Sequence, residues 1–133
     1  MTAKLRTIAL ASLLTLALAG AAVAAEHTVD QVGLEFVPAE ITIETGDTII
    51  WNWSGGSHTV TSGSSLEDPD LGELFDAPLN ADNPSFSFTF DEAGTYPYLC
   101  RPHESLDMLG TIIVEQGVAN EAATWNAVKG LFR

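Results

Sequence analysis

Residues 96–110 read YPYLCRPHESLDMLG and bring a thiol, an imidazole and a thioether close together in the chain. Cys100, His103 and Met108 follow the spacing C-x2-H-x4-M. The aromatic and apolar residues before Cys100 predict a strand, and Pro102 stiffens the turn that follows it. The chain then reverses into a second apolar strand. One loop between two neighbouring strands can therefore present three side chains to a single point.

These three side chains and one further imidazole match the preferences of copper. Soft sulfur ligands together with imidazole select this metal, and a trigonal site of two His and one Cys with a weak axial Met is its blue-copper arrangement. The second imidazole comes from either His27 or His58. We predict His58, because it opens a strand directly after a Gly/Ser turn. His27 would lie within the first few residues of the chain once the N-terminal signal peptide predicted below is removed, and chain ends tend to fray. The predicted metal ligands are His58, Cys100, His103 and Met108.

Two other uses of the same residues are open at this point. A Cys100 nucleophile with His103 as its base would make the protein an enzyme, but such a pair needs an orienting third group and a substrate cleft. Zinc favours additional thiolate or hard ligands, and a thioether such as that of Met108 is not one of its usual ligands. Because copper suits all of these residue types, we predict one copper ion as the cofactor.

Short runs of strand-forming residues separated by turn residues predict an all-β sandwich. The later runs are 41–43, 48–53, 58–61, 86–90, 95–100 and 111–115. A first strand is expected from His27 to Phe36, and Pro38 ends it. Alternation on one face of the strands predicts a core made of large aromatic residues, namely Trp51, Trp53, Phe86, Phe88 and Phe90.

The connection at 63–84 carries six acidic residues and no basic one. We expect a solvated excursion at one end of the sandwich. A calcium loop is the alternative, because Asp68, Asp70 and Gly72 match part of such a site. The flanking helices and the terminal bidentate acid of the full motif are missing.

Both ends of the chain differ from the predicted domain at 26–117. Residues 1–25 have a basic start, a short apolar run and a small-x-small AVA pattern, which together predict a secretory signal peptide. The apolar run is too short for a transmembrane anchor. Residues 118–133 form a tail in which Asn120 can cap a short helix. Both a terminal helix packed on the sandwich and a loose partner-docking segment are compatible with this tail.

Removal of the signal peptide would place a soluble protein in the periplasm or outside the cell, without stable membrane insertion. Cleavage after Ala24 and cleavage after Ala25 both fit the pattern. The first would leave Ala25-Glu26-His27 at the start of the mature chain. The nitrogens of such a terminus can hold Cu(II) in a square plane, so a second copper site is a hypothesis here.

The net charge of the chain limits the kinds of partner that it can bind. Among 133 residues there are 5 Lys+Arg and 18 Asp+Glu, a net charge of −13. Loss of residues 1–25 would leave three basic residues against the same 18 acids, a net charge of −15. Nucleic-acid binding is excluded, because phosphate contacts need basic side chains. A surface this acidic favours a salty medium or a partner with a basic docking face. We expect a monomer, and a single cysteine excludes an intramolecular disulfide.

The run from Val37 to Glu115 resembles the plastocyanin/halocyanin branch of the type 1 (blue) copper proteins, the cupredoxins. The similar stretches are ITIETGDTIIWNW, SHTVTSG and FDEAGTYPYLCRPHESLDMLGTIIVE. The resemblance implies a Greek-key sandwich of roughly seven or eight strands. It also implies a carrier that passes one electron between redox proteins, for example cytochromes, and is not an enzyme. Storage or delivery of copper is the alternative function.

Position by position, the resemblance assigns a role to each predicted ligand. It makes His58 the first histidine ligand, Cys100 the thiolate and Met108 the axial ligand of one type 1 copper. It makes His103 the histidine at the solvent edge, where the electron would leave the protein.

The ligand region also departs from the family pattern. Thr59 stands where many members have asparagine, so the contact that steadies the ligand loop is expected to differ. Glu104 and Asp107 occupy loop positions where plastocyanins often have small residues. We expect these two carboxylates to lower the reduction potential and to influence the choice of partner.

Overall fold

The computed structural model describes residues 23–117, which form nine strands and one 3-10 helix. The strands are β1 (Glu26–Val32), β2 (Glu35–Val37), β3 (Glu40–Glu44), β4 (Thr48–Asn52), β5 (His58–Ser62), β6 (Asp76–Leu79), β7 (Ser85–Thr89), β8 (Gly94–Leu99) and β9 (Leu109–Glu115). The 3-10 helix, Arg101–Leu106, connects β8 to β9. No helix within the described range is long and apolar enough to cross a membrane. The predicted tail helix and most of the predicted signal peptide lie outside the described residues.

The strands form two sheets that enclose one core. One sheet has the order β2-β1-β4-β7, and the other has the order β3-β9-β8-β5-β6. The pairs β1 with β4 and β3 with β9 are parallel, and the other strand pairs are antiparallel. The all-β sandwich predicted from the strand pattern is therefore confirmed. It has nine strands and not the expected seven or eight, because the sequence pattern did not indicate the short strands β2 and β6.

The core is aromatic at its centre. Trp51 of β4 is fully buried, and its ring centroid lies 5.4 Å from that of Tyr98 on the opposite sheet. Phe90 is buried as predicted, whereas the other three predicted core residues are half-buried and pack against the cluster: Trp53, Phe86 and Phe88. Interiors packed in this way resist deformation, so the loops at the ends of the strands start from fixed positions.

The prediction of one continuous first strand is wrong. The chain turns at Gly33, whose φ is +60°, and β1 and β2 then pair as an antiparallel hairpin. Glycine adopts this left-handed conformation without the steric cost that a Cβ imposes. The apolar and polar residues on either side continue the strand pattern, which conceals the turn.

The acidic connection at 63–84 is only partly a solvated excursion. Its second half contains β6, which pairs with β5 along four residues. Phe75 and Leu79 are buried in the core and anchor this segment. The short strand includes Pro78, which is compatible with its position at the edge of the sheet.

Candidate metal centre

Two parts of the chain, the start of β5 and the connection from β8 to β9, meet at one end of the sandwich and carry the predicted ligands. His58 opens β5, Cys100 directly follows β8, His103 lies in the 3-10 helix and Met108 directly precedes β9. Gly56 makes room for the first of these rings, since a Cβ at this position would lie 2.8 Å from His58 Nε2. The strand ends thus bring His58 to a loop that begins 42 residues further along the chain.

The thiol of Cys100 lies between the two imidazoles. Its Sγ is 3.6 Å from Nδ1 of His58 and 3.3 Å from Nδ1 of His103. The three potential ligand atoms all lie within 4.8 Å of one another. Among the residues that the structure describes, this is the only group of three His, Cys, Asp or Glu side chains placed to hold a metal ion.

Hydrogen bonding and burial prepare His58 to act as a ligand. Its Nε2–H donates to the carbonyl oxygen of Gly55 at 3.0 Å, which leaves the lone pair of Nδ1 directed at the thiol. The ring is 4% exposed, and this burial, with a smaller contribution from the charge of His103, lowers the pKa of His58. A neutral imidazole is the form that binds a metal ion.

Cys100 is completely buried, and burial raises the pKa of its thiol. Hydrogen bonds from the main chain of Thr59 and His103 and from the Thr59 side chain oppose this effect. A metal ion that displaces the thiol proton would supply the positive charge that the thiolate lacks in this apolar surrounding. A buried thiolate and two imidazole nitrogens at this spacing fit copper.

The ligand loop is closed by main-chain hydrogen bonds that also fix Met108. The N–H of Cys100 donates to the carbonyl of Met108 at 3.0 Å, and the N–H of Met108 donates to the carbonyl of His103 at 3.2 Å. Met108 is fully buried in the same cluster as Cys100. Its role as the axial ligand stays a prediction.

A polar network that the sequence did not indicate supports this loop. The Thr59 hydroxyl accepts a hydrogen bond from the Arg101 N–H at 2.9 Å and lies 2.9 Å from the hydroxyl of Thr61. Thr61 donates to Asp76, which also binds the Arg101 side chain at 2.6 Å and 3.2 Å. Asp76 therefore connects β6 with the residue next to Cys100. The hydrogen bonds of Arg101 hold the pKa of this carboxyl below its usual value.

The position of Arg101 in the sequence is the one signal that could have indicated this network. Arg101 is the only lysine or arginine between residues 23 and 117, and it directly follows the predicted thiolate ligand. A lone base among many acids indicates an ion pair, although the sequence does not say with which acid.

The structure separates His27 from the candidate metal centre. Its Nε2 lies 2.9 Å from Oδ2 of Asp47, at the start of β4 and away from the loop that carries His58. Of the two histidines considered for the second imidazole, His58 is thus the one that meets Cys100.

The calcium hypothesis for the acidic connection receives no support from the contacts of Asp68. Its carboxylate accepts hydrogen bonds from the N–H and hydroxyl of Ser64 at 2.7 Å and 2.8 Å and from the N–H of Asp70 at 3.0 Å. These hydrogen bonds lower the pKa of Asp68, and the bond from the Ser64 N–H has the largest effect. The carboxylate thereby stabilises a turn.

A β-sandwich that holds a buried thiol between two imidazoles at one end is the architecture of a type 1 copper protein. The family model for copper binding proteins of the plastocyanin/azurin family matches residues 23–115. The chain belongs to this family, which confirms the resemblance seen in the sequence and the prediction of copper as the cofactor.

Individual relatives agree with this assignment. The chain is 37% identical over 94 residues to plastocyanin of Scenedesmus fuscus, a match that covers 65% of this chain and 92% of the relative. It is also 37% identical over 87 residues to halocyanin of Natronomonas pharaonis, covering 62% of this chain but only half of that protein.

Solved structures show the same fold. A mutant plastocyanin of fern matches with a TM-score of 0.57 and 24% identity, over 67% of this chain and all of that one. An oxidized methionine-to-leucine mutant of amicyanin matches with a TM-score of 0.55 and 27% identity, over 66% of this chain and 80% of that one. The predicted cupredoxin-like fold is therefore confirmed.

Proposed function

We propose that this protein is an exported electron carrier with one type 1 copper ion bound by His58, Cys100, His103 and Met108. The observation that carries the proposal is the Cys100 thiol, fully buried, with an imidazole nitrogen at 3.3 Å and another at 3.6 Å. Copper bound there supplies a one-electron couple by cycling between Cu(II) and Cu(I). The four residue types are those of a blue-copper site.

The protein's own contribution is to hold these side chains in place before the metal binds. Hydrogen bonds fix the His58 ring and close the loop between Cys100 and Met108. The strands that carry them are set by a packed aromatic core. A site held this firmly changes little when the electron arrives or leaves, and small rearrangement favours rapid exchange.

We assign the exit of the electron to His103. It is half-buried, whereas His58, Cys100 and Met108 are buried. Its ring and that of His58 line a shallow depression together with Leu34 and the Gly55–Ser57 turn. Leu34 is 43% exposed and offers an apolar contact beside the ring. A redox partner docked on this face would approach the metal through one imidazole.

The partner we propose carries a basic docking face, as a cytochrome with surface lysines would. Support comes from the excess of acids in the chain, with Arg101 as the only lysine or arginine between residues 23 and 117. Opposite charges on the two faces would speed association and make it sensitive to salt. We propose no enzymatic activity, since the thiol that could act as a nucleophile is assigned to the metal.

We propose that residues 26–117 form the copper domain, that the signal peptide lies within residues 1–25 and that residues 118–133 are a separate tail. The boundaries agree with the start of β1 at Glu26 and the end of β9 at Glu115. Export would deliver a soluble monomer to the periplasm or the exterior.

The visible spectrum of the copper-loaded protein tests the proposed function. An intense thiolate-to-copper band and a reversible one-electron wave in voltammetry are expected. A colourless Cu(II) form, or copper released readily to a weak chelator, would instead support storage or delivery. Loss of the band in Cys100→Ser or in either histidine variant would identify these residues as ligands. A shift of the band in Met108→Gln would identify the axial ligand, since Gln can take the same weak axial position. Thr42→Val in β3 serves as the control and should keep the band.

A further inference from the structure

Asp47 forms a polar cluster at the end of the sandwich away from the metal centre. It directly precedes β4, and its side chain is 9% exposed. Its carboxylate accepts hydrogen bonds from the Ala25 N–H at 2.9 Å, from the Glu44 N–H at 3.1 Å and from His27 at 2.9 Å. Burial alone would raise the pKa of Asp47, but these bonds together lower it. The carboxylate is therefore charged at neutral pH and well supplied with donors.

Ala25 is held on both sides of its main chain. Its N–H donates to Oδ1 of Asp47 at 2.9 Å, and its carbonyl accepts from the Thr48 N–H at 2.9 Å. The next residue, Glu26, begins β1 and pairs with Thr48. Val23, two residues earlier, is 88% exposed. The bond between Ala24 and Ala25 thus marks the boundary between exposed chain and chain that is fixed to the domain.

We propose that the signal peptide is removed at the bond between Ala24 and Ala25, and that the new α-ammonium of Ala25 binds the carboxylate of Asp47. This inference rests on the export part of the proposed function. Water hydrolyses the peptide bond, leaving a carboxylate on Ala24 and an ammonium on Ala25. A neutral amide donor at 2.9 Å from Asp47 becomes a charged one, and such hydrogen bonds are stronger than neutral ones.

The two cleavage positions that fit the sequence differ in their consequences for the fold. Cleavage after Ala24 keeps both hydrogen bonds of Ala25 and adds a charge beside Asp47. Cleavage after Ala25 removes both bonds and leaves Asp47 with its donors from His27 and Glu44 alone. The AVA pattern that ends at Ala24 agrees with the first position.

The same arrangement opposes a second copper site at the N-terminus. Such a site would use the amide nitrogens of Glu26 and His27, but both residues belong to β1 and pair with β4. The His27 ring is bound to Asp47 as well. Copper would have to detach the end of this strand, so we expect the amine to bind the carboxylate instead.

The first experiment is the intact mass of the full-length chain after expression in a secreting bacterial host. A mature protein that begins at Ala25 is the expected result. A protein that begins at Glu26 overturns the inference while leaving export intact. A chain that keeps its leader overturns both the inference and the export proposal, whereas the visible spectrum still tests electron transfer separately.

The second experiment measures the charge contribution. Copper-loaded chains that begin at Val23, Ala24 and Ala25 are released from a cleavable fusion, and their unfolding in urea is followed by tryptophan fluorescence under reducing conditions. The chain that begins at Ala25 should have a folding equilibrium constant about fivefold larger than the one that begins at Ala24. The chains that begin at Val23 and Ala24 form the matched control and should be equal, because both present a neutral amide at Ala25.

The Asp47→Asn substitution completes this series. The advantage of the chain that begins at Ala25 should disappear in this background, because the ammonium then has no carboxylate to bind. An advantage that persists in Asp47→Asn, or equal stability of the chains that begin at Ala24 and Ala25 in the original background, overturns the ion pair. The second comparison decides the matter even where Asp47→Asn does not fold.

Discussion

Replacing Thr59 with valine tests whether the polar network behind the ligand loop determines the stability of the folded domain. Valine keeps the shape of the side chain and removes only the hydroxyl. That hydroxyl accepts the Arg101 N–H at 2.9 Å and lies 2.9 Å from the Thr61 hydroxyl. The substitution therefore removes contacts to two residues without opening a cavity.

The expected loss of stability is about 2 kcal/mol. Each hydrogen bond contributes about 1 kcal/mol, and a half-buried N–H of Arg101 that loses its acceptor adds to the cost. For a domain of this size, that loss lowers Tm by about 10 °C.

Circular dichroism during heating gives Tm. Thr42→Val is the matched control, because Thr42 is an exposed residue of β3 and lies opposite Ile113 of β9. The control should change Tm by less than about 3 °C. If Thr59→Val behaves like Thr42→Val, the network does not have the role assigned to it.

Three other predictions follow from the site and from the opposite end of the sandwich. Cys100→Ser should abolish the visible band while circular dichroism of the copper-free chain still shows a folded sandwich; an unfolded spectrum would contradict this. Replacing Glu104 with Gln and Asp107 with Asn together removes two negative charges that stabilise Cu(II) relative to Cu(I). The reduction potential should therefore rise, by the equivalent of at most about 2 kcal/mol before screening by water and salt. The double replacement should also slow electron exchange with a basic cytochrome at low salt, whereas rates without ionic-strength dependence in either form would refute the steering. Because the pKa of Asp47 is lowered in the folded state, its contribution to the free energy of unfolding is present above about pH 4 and disappears as the pH falls through the folded value. Acid titration of unfolding should be shallower in Asp47→Asn, and identical slopes would contradict the assignment.

The grouping of His58, Cys100 and His103 was predictable because its chemistry is mostly local. Cys100 and His103 are three residues apart, and a single turn between two strands is enough to bring them together. The contact between Cys100 and His58 crosses 42 residues, yet the chain has only three histidines, and just one of them opens a strand after a turn. Residue type and turn position therefore compensate for the missing tertiary information.

The supporting network was not predictable, because it depends on strand register. Asp76 reaches Arg101 only because β6 pairs with β5 and β5 pairs with β8. The sequence of β6 is DAPL, which has no alternation and contains a proline, so its local pattern indicates a loop. The hairpin at Gly33 was missed for a related reason, since its flanking residues read as one strand.

The distribution of charge around the candidate metal centre would allow one face of the protein both to attract a basic partner and to make close contact with it. Asp76 binds Arg101 at 2.6 Å, so the charge of the only lysine or arginine between residues 23 and 117 is neutralised by a neighbouring carboxylate. The field around the site is then set by acids such as Glu104 and Asp107. The depression beside His103, in contrast, includes apolar Leu34 and glycine main chain. A basic partner would be attracted by the surrounding carboxylates, which stay hydrated, and would make its contact on a surface that costs little to desolvate. Long-range attraction and short-range contact thus use different residues, and for this reason salt should change the association rate more than the rate of electron transfer within the complex.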